Sequence, residues 1–420
     1  MNKVNLPTKA ECCGCAACVD ICPKGAISLQ EDSGCYYNIK VDEDKCVGCR
    51  LCETHCHILH PERLKKSNPL DVQPLAAWST DEERIKNSAS GGIFAQVAYN
   101  MLSEDDNTFV YGATLLEDNS TRHIEISSVD DIALLQNSKY QQSVSTGIYK
   151  QVKMRLKQGA RVLFSGIPCQ VAGLYSFLGD DERLREKLFT IEILCHGVPN
   201  NDLHRTALKV NKASRIVAYR NKEGIGWGGW SSRLTYLDHN GQKFIIQTYI
   251  DDSLFRSYLT CNFLRENCYQ CHYADIHRVA DMTIGDYWLW ERTPNPDKYR
   301  NYWGTSFVLP NTAKGRQMMK GPHLSTTDTT WREFMPVNQN LYMPTNAYEF
   351  KGCRIMPILK HLPTPIKNII YRRGFSHYRP DRLYHITMRL IFWFRTKHRR
   401  QEQADKIEET LKYLERQDEQ

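Results

Sequence analysis

The chain has 420 residues, 41% of them apolar, with sixteen cysteines and a formal net charge of +7. That length suits two or three domains with a sizeable buried core. The charge is local: residues 351–400 hold thirteen Lys and Arg against Asp381 alone, which makes this segment +12 and leaves −5 for the rest, a distribution that argues against general nucleic-acid binding.

The opening residues, MNKVNLPTKAE, contain no apolar run of the secretory type, and no stretch approaches the ~18 uncharged apolar residues of a membrane-spanning helix. Disulfide scaffolds belong to short secreted chains, so these cysteines read as metal ligands in a reducing, cytoplasmic compartment. Ten of them precede position 57. Cys12, Cys15, Cys18 and Cys22 follow C-x2-C-x2-C-x3-C with Pro23 behind them, and Cys46, Cys49, Cys52 and Cys56 repeat the spacing with His57 in place of the proline. This is the bacterial ferredoxin run, in which three close thiolates wrap one 4Fe-4S cube and the fourth reaches the other. Cys12, Cys15, Cys18 and Cys56 are therefore assigned to one cluster, and Cys46, Cys49, Cys52 and Cys22 to the second. Zinc sites normally pair C-x2-C elements across a longer spacer, so iron–sulfur is preferred. Gly14 and Gly48 let backbone N–H groups approach the cluster sulfurs. Residues 26–30 and 37–41 alternate as short strands, completing a 1–62 α+β, ferredoxin-like module. Cys13 and Cys35 are read as ordinary thiols, and His55, His57 and His60 as surface residues.

Residues 63–75 are a polar, proline-rich linker, and a core spanning 76–345 follows. SASGGIFAQVAYNML (88–102) reads as a Ser/Gly turn opening a helix. Strands are expected at 109–116 and 123–129, a short helix at 129–138, and a helix at 146–159. The strand 161–166, helix 168–179 and strand 188–195 form a βαβ unit with parallel strands, so the core is α/β. Cys169 and Cys195 then lie at carboxyl ends of neighbouring strands, where open α/β sheets bind ligands. Cys268 and Cys271 form a C-x2-C pair before a strand at 280–288. We expect a third 4Fe-4S cluster on Cys169, Cys195, Cys268 and Cys271; zinc would also satisfy four such thiolates, and Cys261 could displace one of them. GIGWGGW (224–230) reads as a loop. Ser88, Ser90, Gly91 and Gly92 make the best anion site, because free N–H groups and the dipole of a helix start favour phosphate; a plainly capped helix is the simpler alternative.

SASGG (88–92), SKYQQS (138–143), GIPCQVAGL (166–174), CHGVP (195–199), CYQC (268–271) and ADMTIGD (280–286) resemble, in order and spacing, the signature segments of the coenzyme F-420-reducing hydrogenase and dehydrogenase beta-subunit family. The resemblance covers roughly 80–300. It implies an iron–sulfur flavoprotein oxidoreductase, usually with FAD, that passes electrons between clusters and a hydride-accepting substrate. It implies the same four core ligands, with Cys261 a spare, and contacts from the 88–92 turn and Lys139 to the polar parts of the flavin. The expected electron partner is a soluble ferredoxin; the substrate, a small molecule or cofactor, is unidentified. An electron-transfer subunit that docks a separate catalytic partner is the alternative.

The segment 346–420 is a basic, aromatic, mostly helical extension. Its part 366–400 is read as a helix packed on the core with a solvated basic face, with peripheral contact to an anionic membrane as the second reading. Cys353 is an ordinary thiol, and IEETLKYLERQ a charged helix.

Overall fold

The computed structural model describes residues 4–227, 233–246, 254, 258, 261, 263–345 and 401–415. The basic segment 366–400 and Cys353 lie outside them.

Strands β1 (Ile27–Glu31) and β2 (Tyr37–Val41) pair antiparallel, with Ile27 opposite Val41. Their turn is held by Asp32, whose Oδ1 accepts the N–H groups of Gly34 and Tyr36 at 2.8 and 3.1 Å. A short helix follows each cysteine loop, Ala17–Ile21 and Leu51–Thr54. The loops have the same backbone: Gly14 and Gly48 have φ of 69° and 68°, and Ala16 and Arg50 have φ of 67° and 58°. Left-handed backbone on both sides of the second cysteine curls each loop inward, which explains why each of the two earlier positions is glycine.

The core is a mixed α/β sheet. Its strands are β3 (Leu75–Ser79), β4 (Thr108–Leu115), β5 (Thr121–Ile126), β6 (Arg161–Gly166) and β7 (Leu188–Ile193). A smaller antiparallel sheet of β8 (Ala213–Asn221), β9 (Arg233–Asp238) and β10 (Lys243–Ile246) intervenes before β11 (Met282–Asp286), β12 (Ser306–Pro310) and β13 (Leu324–Asp328) complete the large one. Among the described residues its order is β13-β3-β12-β11-β7-β6-β4-β5. The central strands β4, β6, β7 and β11 are parallel, and antiparallel strands flank them on both sides. β6 reads RVLFSG because helices cover both its faces; Val162, Leu163 and Phe164 are fully buried. The helix Pro168–Leu178 returns the chain from β6 to β7.

The ferredoxin-like part is docked tightly on this core. Buried Arg265 donates to Cys12 O and Asn38 Oδ1 at 2.9 Å each, to Tyr37 O at 2.6 Å, and to Gln142 Oε1 at 3.1 Å. Tyr36 donates its hydroxyl to Phe263 O at 2.9 Å, and Ser145 Oγ donates to Cys15 O at 2.9 Å. Asp20 reaches across to a core helix. The helix Ile148–Lys157 starts at Gly147, which has no side chain to cap it, and the Asp20 carboxylate accepts from Gly147 N at 2.6 Å and Tyr149 N at 3.1 Å. One part of the chain thus caps a helix of the other. Asp20→Ala is expected to lower stability by about 1–2 kcal/mol and to speed hydrogen exchange at the Gly147 and Tyr149 amides, measurable by exchange mass spectrometry.

Residues 63–75, expected to link the two parts, run along the core: Ser67 N donates to Arg278 O at 2.8 Å, Arg278 N to Ser67 Oγ at 3.0 Å, and Pro69 and Val72 are buried. Residues 401–415 form a helix whose Leu411 and Leu414 are buried against a cluster containing Tyr287, Phe307 and Phe334. No described helix is long and apolar enough to cross a membrane.

Candidate iron–sulfur centres and anion site

Cys22, Cys46, Cys49 and Cys52 line one cavity of the ferredoxin-like part, together with Val4, Val47 and Leu51. Cys49 is exposed and Val47 stands in solvent beside it, so this loop faces outward while Cys46 and Cys52 are buried behind it. Cys18 lies within electrostatic reach of both Cys12 and Cys56, and Cys15 of Cys18. The fourth cysteine of each run therefore lies with the first three of the other. These thiols face the core: the Cys15 side chain packs against the cluster that holds Val171 and Leu174. A Cβ on Gly173 of the core helix would stand 3.0 Å from Cys15 Sγ, so only glycine admits that approach without a shift.

Cys169, Cys195, Cys268 and Cys271 line a second cavity, with Arg265, Arg278 and Tyr273. Cys169 opens the helix behind β6, and Cys195 follows β7. Cys261 does not line this cavity; its Sγ lies 3.1 Å from His196 Nε2.

Several of these sulfurs already accept backbone N–H groups: Cys12 from Gly14 at 3.4 Å, Cys22 from Ala26 at 3.3 Å, Cys268 from Val198 and Cys271 from Tyr273 at 3.4 Å. Such N–H···S contacts orient thiolates on a metal. As free thiols, Cys12, Cys52 and Cys268 are poor anions. Burial pushes Cys12 and Cys52 up to about 11 and Cys268 up to about 12. Gathering so many sulfurs out of water becomes favourable when a cation deprotonates and binds them. Arg278 adds a second sign of fit. It is buried beside the core thiols, Nε donates to Glu192 Oε1 at 2.5 Å and Nη1 to Tyr273 O at 2.7 Å, while Nη2 has no hydrogen-bond partner among the described residues. A donor left over at the wall of a four-thiol cavity fits a cluster sulfur as its acceptor.

Two residues depart from the sequence reading. His57 was expected at the surface, yet it is 1% exposed: Tyr273 and Cys13 occupy its two ring nitrogens, with Nδ1 2.5 Å from the Tyr273 hydroxyl and Nε2 3.5 Å from Cys13 Sγ. The position after Cys56, proline in the first run, is here the seam between the two parts of the chain. Cys13 is buried in the same seam, touching Cys15 and Cys169. Local spacing could not have indicated the burial of His57, because Cys13 and Tyr273 lie 44 and 216 positions away.

The 88–92 turn starts the helix Ile93–Glu104. Its hydroxyls are engaged within the protein: Ser88 Oγ donates to Arg84 O at 2.8 Å and Ser90 Oγ to Thr305 O at 2.9 Å. Gly91 N donates to Ser306 Oγ at 3.0 Å, and a Cβ there would meet Ala77 O at 2.5 Å. Gly92, at φ 75°, is the N-cap and supplies no capping side chain, so the first N–H groups of the helix remain the candidate anion contact. Gln136 ties Lys139 to this turn. Its O accepts from Lys139 Nζ at 2.6 Å, and its Nε2 donates to Ser88 Oγ at 3.2 Å. The Lys139 residue is half-buried, but its ammonium is packed deep, and desolvation lowers its pKa to about 7. Sequence reading missed Lys222, whose buried ammonium donates to Ile85 O at 2.7 Å and Ser90 O at 2.9 Å and locks the turn. It also missed the Arg220–Asp286 pair at 2.8 Å and the stacked indoles of Trp227 and Trp288, 5.2 Å apart, next to it.

Thiol sets of this kind define an iron–sulfur electron-transfer protein, and residues 11–58 match the 4Fe-4S dicluster domain. Residues 159–326 match the model for the C-terminal part of the coenzyme F420 hydrogenase/dehydrogenase beta subunit, so the chain joins a match to that beta-subunit family to an N-terminal match to a ferredoxin domain. The chain is 36% identical over 87 residues to an archaeal-type glutamate synthase (NADPH) of Thermotoga maritima, a match covering 20% of this chain and 16% of that protein. It is 46% identical over 39 residues to the ferredoxin-like protein YdhY of Escherichia coli K12, covering 9% and 17% of the two chains. The curated relatives thus match over less than a fifth of their own length. A solved chain of the F420-reducing NiFe hydrogenase complex from Methanosarcina barkeri is similar at 16% identity and a TM-score of 0.40, covering 63% of this chain and 83% of that one.

Proposed function

We propose that this protein is an iron–sulfur flavoprotein oxidoreductase with three 4Fe-4S clusters. In this reading Cys22, Cys46, Cys49 and Cys52 hold the outer cluster, Cys12, Cys15, Cys18 and Cys56 the inner one, and Cys169, Cys195, Cys268 and Cys271 the core cluster. The observation that carries it is the placement of the core thiols: four cysteines drawn from 169 to 271 line one buried cavity, next to the thiols of the ferredoxin-like part. A flavin, with FAD as the expected form, would supply the exchange between single electrons and electron pairs. The N–H groups after Gly92 and the Lys139 ammonium would hold its phosphates, and Lys222 keeps that turn in place. Arg265 and Asp20 hold the two parts in register, so the inner thiols stay against the core. The exposed Cys49 loop, with Val47 and Leu51 around it, would receive a soluble electron carrier such as a ferredoxin. The unidentified substrate would then exchange electrons with the flavin.

The apolar rim around Cys49 also favours a second reading, an electron-transfer subunit bound to a separate catalytic partner. Anaerobically purified chain, supplied with FAD, should reduce artificial dyes from a low-potential donor without any partner. No turnover with any acceptor until a partner is added would favour the subunit reading.

The lowered pKa of Lys139 gives a pH dependence. The free ammonium is charged below about 7, and a bound phosphate would raise its pKa. FAD affinity should therefore be greatest below about pH 7 and weaken by up to roughly tenfold per pH unit above it. In Lys139→Met the affinity should be lower and this slope absent, as read by fluorescence titration of flavin-free protein.

A further inference from the structure

Cys13 lies outside both four-cysteine sets, although it sits inside the first loop. Its Sγ lies within hydrogen-bonding reach of both Cys15 and Cys169, and it lines the core-thiol cavity. Cys13, Cys15 and His57 place their ligand atoms within 4.8 Å of one another. The position is tightly built. His57 faces Cys13 through Nε2 at 3.5 Å and is itself held by the Tyr273 hydroxyl, and all three residues are buried. Tyr273 follows Cys271 by two residues and also lines the cavity. Both ring nitrogens of His57 are thus engaged, one by the Tyr273 phenol and one by the Cys13 sulfur.

We propose that Cys13 is the positioning residue that couples the inner cluster to the core cluster, its sulfur filling the gap between Cys15 and Cys169 as the electron's crossing point. This rests on the three-cluster reading above. In each crossing one electron leaves the inner centre and one enters the core centre; no bond is made or broken and no proton moves. A sulfur suits the gap because it is polarizable and, at this place, buried. His57 and Tyr273 hold its side chain in one orientation, which an ordinary core thiol would not require.

The test uses the full chain, purified anaerobically, as wild type, Cys13→Ala, Cys13→Ser and His57→Gln. Iron content, the dipolar splitting between the reduced inner and core centres, and the rate of electron arrival at the core centre are read by iron assay and freeze-quench electron paramagnetic resonance. Cys13→Ala should keep wild-type iron and splitting but pass electrons to the core more slowly, with Cys13→Ser and His57→Gln in between. An unchanged rate in Cys13→Ala overturns the proposal. So does a loss of splitting, which would make Cys13 a spacer that merely keeps the centres apart, or a loss of iron in the variants alone, which would make it a ligand. Fewer than about twelve irons in the wild type would instead overturn the three-cluster reading.

Discussion

Cys268→Ser is expected to lower the iron content from about twelve to about eight per chain, the loss of one four-iron cube. Cys268 is buried, and its sulfur already accepts Val198 N at 3.4 Å. Cys261 is the nearest spare in sequence, but His196 holds its sulfur outside the cavity. The outer and inner centres should remain, because all eight of their thiols come from residues 12–56. Reduction by dithionite should then still yield their paramagnetic signals, while electrons given to the module no longer reach the flavin. Iron and sulfide assays with spectroscopy of the reduced variant check this. Full iron content in Cys268→Ser would remove the core site from the account.

Arg278→Met is the second large effect, expected to cost about 3–5 kcal/mol of stability. Arg278 and Glu192 are 1% and 0% exposed, 2.5 Å apart, with Thr283 Oγ1 donating to the same carboxylate oxygen at 2.8 Å. Removing the guanidinium leaves a carboxylate without its cation in a place that water does not reach. The double variant Arg278→Met with Glu192→Met should recover most of that loss, since an apolar pair of similar volume carries no desolvation penalty. Thermal and denaturant unfolding of the four proteins in the cycle give the coupling directly. The single variant should also shift the core cluster to a more negative potential, because a buried positive charge beside it favours the reduced form.

The candidate site was legible where chemistry is periodic or tied to strand ends. The two cysteine runs lie 34 residues apart, and the left-handed residues in their loops repeat at the same offset. The pairing of Cys169 with Cys195 followed from a short apolar strand, a helix and another apolar strand, because parallel neighbours must end on the same side. What was hidden depends on contacts between distant segments. His57 looks like a surface histidine until Tyr273 and Cys13 close over it. Lys222 looks like a solvated charge until Ile85 and Ser90 turn their carbonyls toward it. Strands β3 and β12 lie on the flank of the sheet and do not alternate: β12 is buried along its whole length, and β3 shows no period of two in its burial. The 88–92 turn suggested an anion site through the free N–H groups of a helix start; the serine hydroxyls there serve the fold, and the backbone N–H groups remain for an anion.

The measurement that bears most directly on the account is the cofactor stoichiometry of the full chain purified without oxygen. Iron, acid-labile sulfide, zinc and flavin are determined on the same sample against protein by amino-acid analysis. The account predicts about twelve irons and as many sulfides per chain, one flavin and no zinc. About eight irons with zinc on the core thiols, or full iron with no flavin bound even after FAD is supplied, would contradict it.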